Sequence, residues 1–294
     1  MSDVLLITGG LVITPEGIHA HDILIRDGLI QAVGDSVRDS APTDAGRVDA
    51  SGLHILPGLL DMHTHMREPG GAHKEDFTTG TAAALAGGVT AIGAMPNTAP
   101  SITDQQTLDA ALALAAEKAV CDYGVYIGAT AENAAQAAEV REALALKMFM
   151  GSSTGTLLVK DVAGQIPHFE AYPRDRVLAV HAEDEDAVQY YGERGRRRPP
   201  VCALLGVSRA LALAEATGRK LHILHVTTGA ELDLIAAAKA RGVRVTCETC
   251  PQYLFLTTDD VARLGAFALC NPPIREPGEP ERLWERFDVI DMIA

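Results

Sequence analysis

Aromatic side chains are scarce: six phenylalanines, six tyrosines and one tryptophan make up 4% of 294 residues. That is thin material for a protein that binds nucleic acid by stacking on bases. Basic residues are also in the minority, 25 against 39 acidic, and the resulting net charge of −14 argues against general affinity for nucleic acid or anionic lipid. The five cysteines are odd in number and scattered, which excludes a disulfide framework and suits a reduced, cytoplasmic protein. No basic leader opens the chain, and its first apolar run is too short for an export signal. Charge is missing altogether from residues 78–103, long enough to suggest a membrane span. The stretch is rich in Ala, Gly and Thr, however, and broken by Gly87-Gly88, Pro96-Asn97 and Pro100, so it reads as a small-residue helix followed by a buried strand.

Apolar residues are plentiful, at 47%, enough for one large α/β domain or one domain with a small appendage. Residues up to about 50 read as short strands joined by turns, with a tight-hairpin signal at Asp27-Gly28. From residue 54 apolar strands alternate with Ala-rich helical stretches. The strand candidates are residues 55–62, 89–95, 122–128, 143–150, 177–181, 221–226, 243–248 and 289–294. Helical periodicity lies between them, at 108–119, 131–142, 204–216 and 230–241. Eight strand signals separated by helices predict a parallel (β/α)8 barrel over 54–294, ending at its eighth strand, with residues 1–53 as a β-stranded appendage. A doubly wound open sheet is the alternative, though no Gly-rich nucleotide fingerprint follows an early strand.

In a barrel the chemistry gathers where strands end. His63-Thr-His65 closes the first strand, and residues two apart on a strand share a face, so the pair forms half of a metal site or merely a polar strand end. Later strand ends add Lys147, His181 and His225. His222, three positions before His225, is expected on the opposite face and structural; His19 and His21 share the spacing of His63 and His65 but are expected on the surface. A lysine ammonium has no lone pair for a cation. Lys147 can join such a site only as a carbamate, and burial in an apolar run favours the amine that reacts with carbon dioxide.

These residues resemble the cyclic-amidohydrolase branch of the amidohydrolase superfamily, and most closely the dihydroorotases. The likeness rests on Pro57-Gly58 before His63-Thr-His65, on Arg67, Glu68-Pro-Gly70, Lys74-Glu-Asp-Phe77, Thr79-Gly-Thr81, Ala86-Gly-Gly-Val-Thr90, Met95-Pro-Asn97-Thr98 and Asn271-Pro-Pro273. It implies a barrel with a small β-sandwich appendage and two zinc ions per subunit, one on His63 and His65, the other on His181 and His225, bridged by carbamylated Lys147. It implies an enzyme interconverting dihydroorotate and N-carbamoyl-aspartate in pyrimidine synthesis, with Arg67 and Asn97 on the substrate carboxylate and Asn271 on the ring. A small-molecule substrate follows, with neither nucleic acid nor membrane as partner; a homodimer is compatible with the resemblance.

The likeness has gaps. Relatives carry, just past the eighth strand, a Thr-Asp-His stretch whose Asp ligates metal and moves a proton; this sequence stops at Ala294, with Asp288 and Asp291 too early to substitute. The barrel is therefore expected to be incomplete at its C-terminus, poorly stable, and nearly inactive as it stands. Glu248-Thr-Cys250-Pro is similar to allantoinase sequences, and Gln252 stands where relatives often have His, so an allantoinase or hydantoinase remains an alternative. A further one is a non-catalytic scaffold for aspartate transcarbamoylase. Cys247 and Cys250 are expected as buried thiols, and Arg194 to Arg198 as a solvated loop near the barrel mouth.

Overall fold

The computed structural model describes residues 4–153, 155 and 157–294. Two compact units divide the chain, Met1–Leu59 and Leu60–Ala294. The first holds strands β1 (Val4–Thr8), β2 (Leu11–Thr14), β3 (Gly17–His19), β4 (Asp22–Arg26), β5 (Leu29–Gly34), β6 (Gly46–Asp49) and β7 (His54–Ile55), with a single helical turn α1 (Val37–Ser40). They form two sheets, ordered β5-β4-β1-β6 and β3-β2-β7. The expected hairpin joins β4 to β5, and Asp27 and Gly28 both take positive φ, 51° and 75°, as a two-residue turn matched to strand twist requires. Val4, Leu6, Leu24, Val37 and Ala45 make this unit's small core.

The second unit alternates strand and helix: β8 (Leu59–Thr64), α2 (Phe77–Ala86), β9 (Val89–Ala94), α3 (Gln105–Lys118), β10 (Asp122–Val125), β11 (Ile127–Gly128), α4 (Ala134–Glu139), β12 (Leu146–Phe149) and α5 (Val162–Ala171). It continues through β13 (Val177–His181), α6 (Glu185–Gly192), α7 (Pro200–Thr217), β14 (Lys220–Ile223), α8 (Gly229–Ala240), β15 (Val245–Thr249), α9 (Pro251–Phe255), α10 (Thr258–Leu264), α11 (Glu279–Glu285) and β16 (Met292–Ile293). Its strands form sheets ordered β10-β9-β8 and β11-β12-β13-β14-β15-β16, and every pairing in the second is parallel. The second unit is thus α/β with parallel sheets.

Three expected strands come out differently. Residues 55–62 divide, Ile55 pairing with β2 and the remainder forming β8, because Pro57 has no N–H for a ladder. Residues 122–128 divide at Tyr126 between two sheets, and strand 289–294 shrinks to β16 behind a 3-10 turn at Phe287–Val289. The uncharged stretch 78–103 forms α2 and β9 as read. Helix α7 is long and apolar enough to cross a membrane. Here it buries Val207, Ala210, Leu211 and Ala214 in the main core. Gly206 makes this packing possible, since a Cβ there would collide with the carbonyl of Ala182 at the end of β13.

Several residues that carry the family likeness are scaffolding. Asp76 caps α2 by accepting from Thr79 N at 2.7 Å, and Glu68 accepts from Phe77 N at 3.1 Å. A side chain at Gly80 would press on Met66 Sδ, 2.5 Å away. Together they pin the start of α2 to the loop that follows β8.

Candidate active site

Alternation along β12 to β14 sorts the side chains. Leu146, Met148, Leu178, Val180, Leu221 and Ile223 pack in the main core, so Lys147, Ala179, His181 and His222 occupy the other face. Register confirms the row, with Lys147 beside Ala179 and Ala179 beside His222. The expectation that His222 faces away from the site is therefore wrong. Alternation fails because β14 stops at Ile223 and His225 adopts a left-handed φ of 42°, which turns its ring back over the face that His222 already occupies.

Four histidine rings meet there. Centroid separations are 5.6 Å for His63 and His65, 5.4 Å for His63 and His225, and 4.7 Å for His181 and His225. Three of the rings are held from behind. His65 Nδ1 donates to Asn97 Oδ1 at 2.9 Å, and His181 Nε2 donates to Glu183 Oε2 at 2.9 Å. His63 Nδ1 donates to Glu248 Oε1, whose other oxygen accepts from His222 Nε2 at 3.1 Å. The opposite nitrogens, Nε2 of His63 and His65 and Nδ1 of His181, then carry the lone pairs. His181 Nδ1 lies 2.9 Å from His225 Nε2. Among the described residues no three His, Cys, Asp or Glu side chains converge as a set for one ion.

Electrostatics favours the neutral form of His65, His181 and His225. Burial, then the charges of His63, Arg67 and Lys147, hold His65 well below the usual imidazole range; burial, then His181, His63 and Lys147, do the same for His225. Burial also lowers His181, against the pull of Glu183. Lys147 is 1% exposed, and its Nζ sits 4.3 Å from the Phe149 ring centroid with no hydrogen-bond partner among the described residues. Desolvation lowers it to about 7. Burial by itself would raise Glu248, yet hydrogen bonds from His222 and His63 bring it down to about 2.

A cavity of about 450 Å³ opens over this cluster, lined by His63, His65, His225, Arg67, Asn97, Arg197, Gln252 and Asn271 among others, while Lys147 and His181 are fully buried. Arg67 has a left-handed φ of 58° and a buried Nη1 without a partner among the described residues. It is not paired with its neighbour Glu68, which binds Lys118 Nζ at 2.6 Å. Asn271 Oδ1 accepts from Arg197 at 3.0 Å, and Asn97 is engaged with His65. The basic run is not wholly solvated, since Arg198 is buried. Cys247 and Cys250 are buried free thiols, as read. Sequence reasoning missed Glu248 and Glu183 as ring partners; the signals available were an acid on a strand of apolar neighbours and an acid two residues beyond His181.

The sequence model of the family described as Dihydro-orotase-like matches residues 52–231. The chain belongs to the dihydro-orotase-like family. Relatives similar to it include an allantoinase from Deinococcus radiodurans, 37% identical over 97% of this chain and 66% of the relative. A dihydroorotase from Syntrophotalea carbinolica is 36% identical over 96% of this chain and 68% of the relative. Among solved structures, the L-hydantoinase (dihydropyrimidinase) from Arthrobacter aurescens superposes with a TM-score of 0.90 at 26% identity, covering 100% of this chain and 69% of that one. The chain thus spans about two thirds of the length of these relatives.

Proposed function

We propose that the chain belongs to a zinc-dependent enzyme that opens and closes a cyclic amide, with dihydroorotate and N-carbamoyl-aspartate as its substrate pair. The observation that carries the substrate choice is Arg67, a half-buried guanidinium at the cavity whose Nη1 has no partner among the described residues. A substrate carboxylate is the planar anion that such a fork matches. The sequential parallel strand order and the fit to the L-hydantoinase support a (β/α)8 barrel as the framework.

The donor set suits a pair of zinc ions. His63 and His65 present two Nε2 lone pairs, His181 and His225 present a second couple, and burial favours the neutral form, the one that binds metal, at His65, His181 and His225. Lys147 stands beside them without a hydrogen-bond partner among the described residues, and burial makes its amine available near neutral pH. Reaction with carbon dioxide converts that amine to a carbamate with release of a proton, and two new acceptor oxygens could bridge the pair. When bound, zinc supplies Lewis-acid polarisation of the ring carbonyl and acidifies a water. The chain's own side chains do the rest: Glu248 and Asn97 fix the first two rings, Glu183 fixes the third, and Arg67 orients the substrate from its far end.

A second reading, hydrolysis of allantoin, is favoured by Gln252 in the cavity wall, an amide that can pair with a ureide. Turnover of dihydroorotate and allantoin by the full-length gene product decides between them. Dihydroorotate should be preferred, and Arg67→Met should lower kcat/KM on it by about 10²-fold, as expected for loss of a charge-assisted pair, while leaving any allantoin activity within a few-fold. Allantoin turnover untouched by Arg67→Met, with none on dihydroorotate, would reverse the assignment. A non-catalytic scaffold for aspartate transcarbamoylase is disfavoured by the retention of four histidines and a buried lysine in one cluster, and a wild-type protein without bound zinc would revive it.

A further inference from the structure

Arg198 takes no part in the proposed ligand set, yet it connects the ends of three strands. It is 9% exposed and holds a left-handed φ of 44°. Its Nη1 pairs with the carboxylate of Glu183, the group that accepts from His181 Nε2 at 2.9 Å. Its Nη2 reaches the carbonyl of Ser152 and, at 3.3 Å, the Ser152 hydroxyl, on the segment that follows the strand of Lys147. Its own carbonyl accepts from Arg275 Nη1 at 2.5 Å, and Arg275 Nε donates to Thr227 Oγ1 at 2.9 Å, two residues past His225. One buried arginine therefore touches the carboxylate behind His181 and the segment after the strand of Lys147, and is linked through Arg275 to the loop after His225.

We propose that Arg198 is a positioning residue, which by gripping Glu183 keeps the His181 imidazole protonated on Nε2 with its Nδ1 lone pair turned toward His225. A carboxylate fixed in this way is an acceptor only, so the ring nitrogen facing it must be a donor. The planar guanidinium spans Glu183 and Ser152 together, a geometry that an ammonium cannot reproduce. The effect on zinc rests on the function proposed above, whereas the effect on the imidazole does not.

Two measurements on the full-length protein separate these. In the metal-free state, two-bond ¹H–¹⁵N spectra of the histidine rings should show His181 as the Nε2–H tautomer in wild type, a mixture or the Nδ1–H form in Arg198→Met, and partial retention in Arg198→Lys. In chelator-competition titrations with zinc, Arg198→Met should weaken one of the two ions by about 10–100-fold and leave the other within about twofold. An unchanged His181 tautomer with wild-type zinc affinity at both positions would overturn the proposal. If wild type binds no zinc, the zinc reading fails and the tautomer alone decides this one. Should Arg198→Met not fold, Glu183→Ala tests the same contact with the arginine in place: it removes the oxygen that accepts from both Arg198 and His181, so a still-pure Nε2–H tautomer would equally count against the proposal.

Discussion

His63 donates its Nδ1 proton to the carboxylate of Glu248, 185 residues further along the chain. A ring tied down on one nitrogen presents the other in a fixed direction, and outer partners of this kind typically contribute 10–100-fold to metal affinity. Glu248→Gln should accordingly weaken zinc at the His63 and His65 pair by about that factor, read by chelator competition. Equal affinity in the variant would remove Glu248 from the site.

The same carboxylate shapes the response to acid. Held down to about 2 in the folded chain, against about 4.3 for an ordinary glutamate, it contributes stability that is complete above the higher value and lost as pH falls toward the lower. The urea midpoint of the metal-free wild type should fall more steeply between pH 5 and pH 3 than that of Glu248→Gln, on the order of the two-unit window just described. Parallel curves would show that other carboxylates dominate.

Lys147 works in the opposite sense. Its folded value of about 7 lies below the roughly 10.4 of an unfolded lysine, so between these the unfolded chain binds a proton that the folded chain does not, and stability rises with pH. Metal-free Lys147→Met should be more stable than wild type near pH 7, and the gap should narrow by about pH 9. In addition, ¹³C-bicarbonate should introduce a carbamate carbon signal into the wild type that is absent from Lys147→Met.

Gly206 offers a test of packing alone. Any side chain there meets the backbone of Ala182, which cannot rotate away as a flexible side chain could, so Gly206→Ala should cost about 1–3 kcal/mol in urea unfolding. A neutral substitution would mean that α7 can lift from the end of β13.

Several features were legible without coordinates because they depend on local order. Strand β13 and helix α8 lie within a residue of their sequence-read bounds, since apolar runs and 3.6-residue periodicity are properties of the chain itself. The Asp27-Gly28 turn is equally local, a matter of which residues tolerate positive φ. Where the reading went astray, backbone events without a compositional signature were responsible. Tyr126 divides one apolar run between two sheets, and the left-handed turn at His225 cancels the alternation that had set His222 aside.

Composition, periodicity and the histidines at strand ends were by themselves enough to specify an α/β chain and the side chains that gather beneath the cavity. Which carboxylate stands behind which imidazole, that Arg198 is buried while its neighbour Arg197 lines the cavity, and that Arg67 has no partner in Glu68 were decided only by folding. The reason is physical: a side chain's type is written at its own position, whereas its proton, its charge state and its direction depend on groups that are distant in sequence and become neighbours only when the sheets assemble.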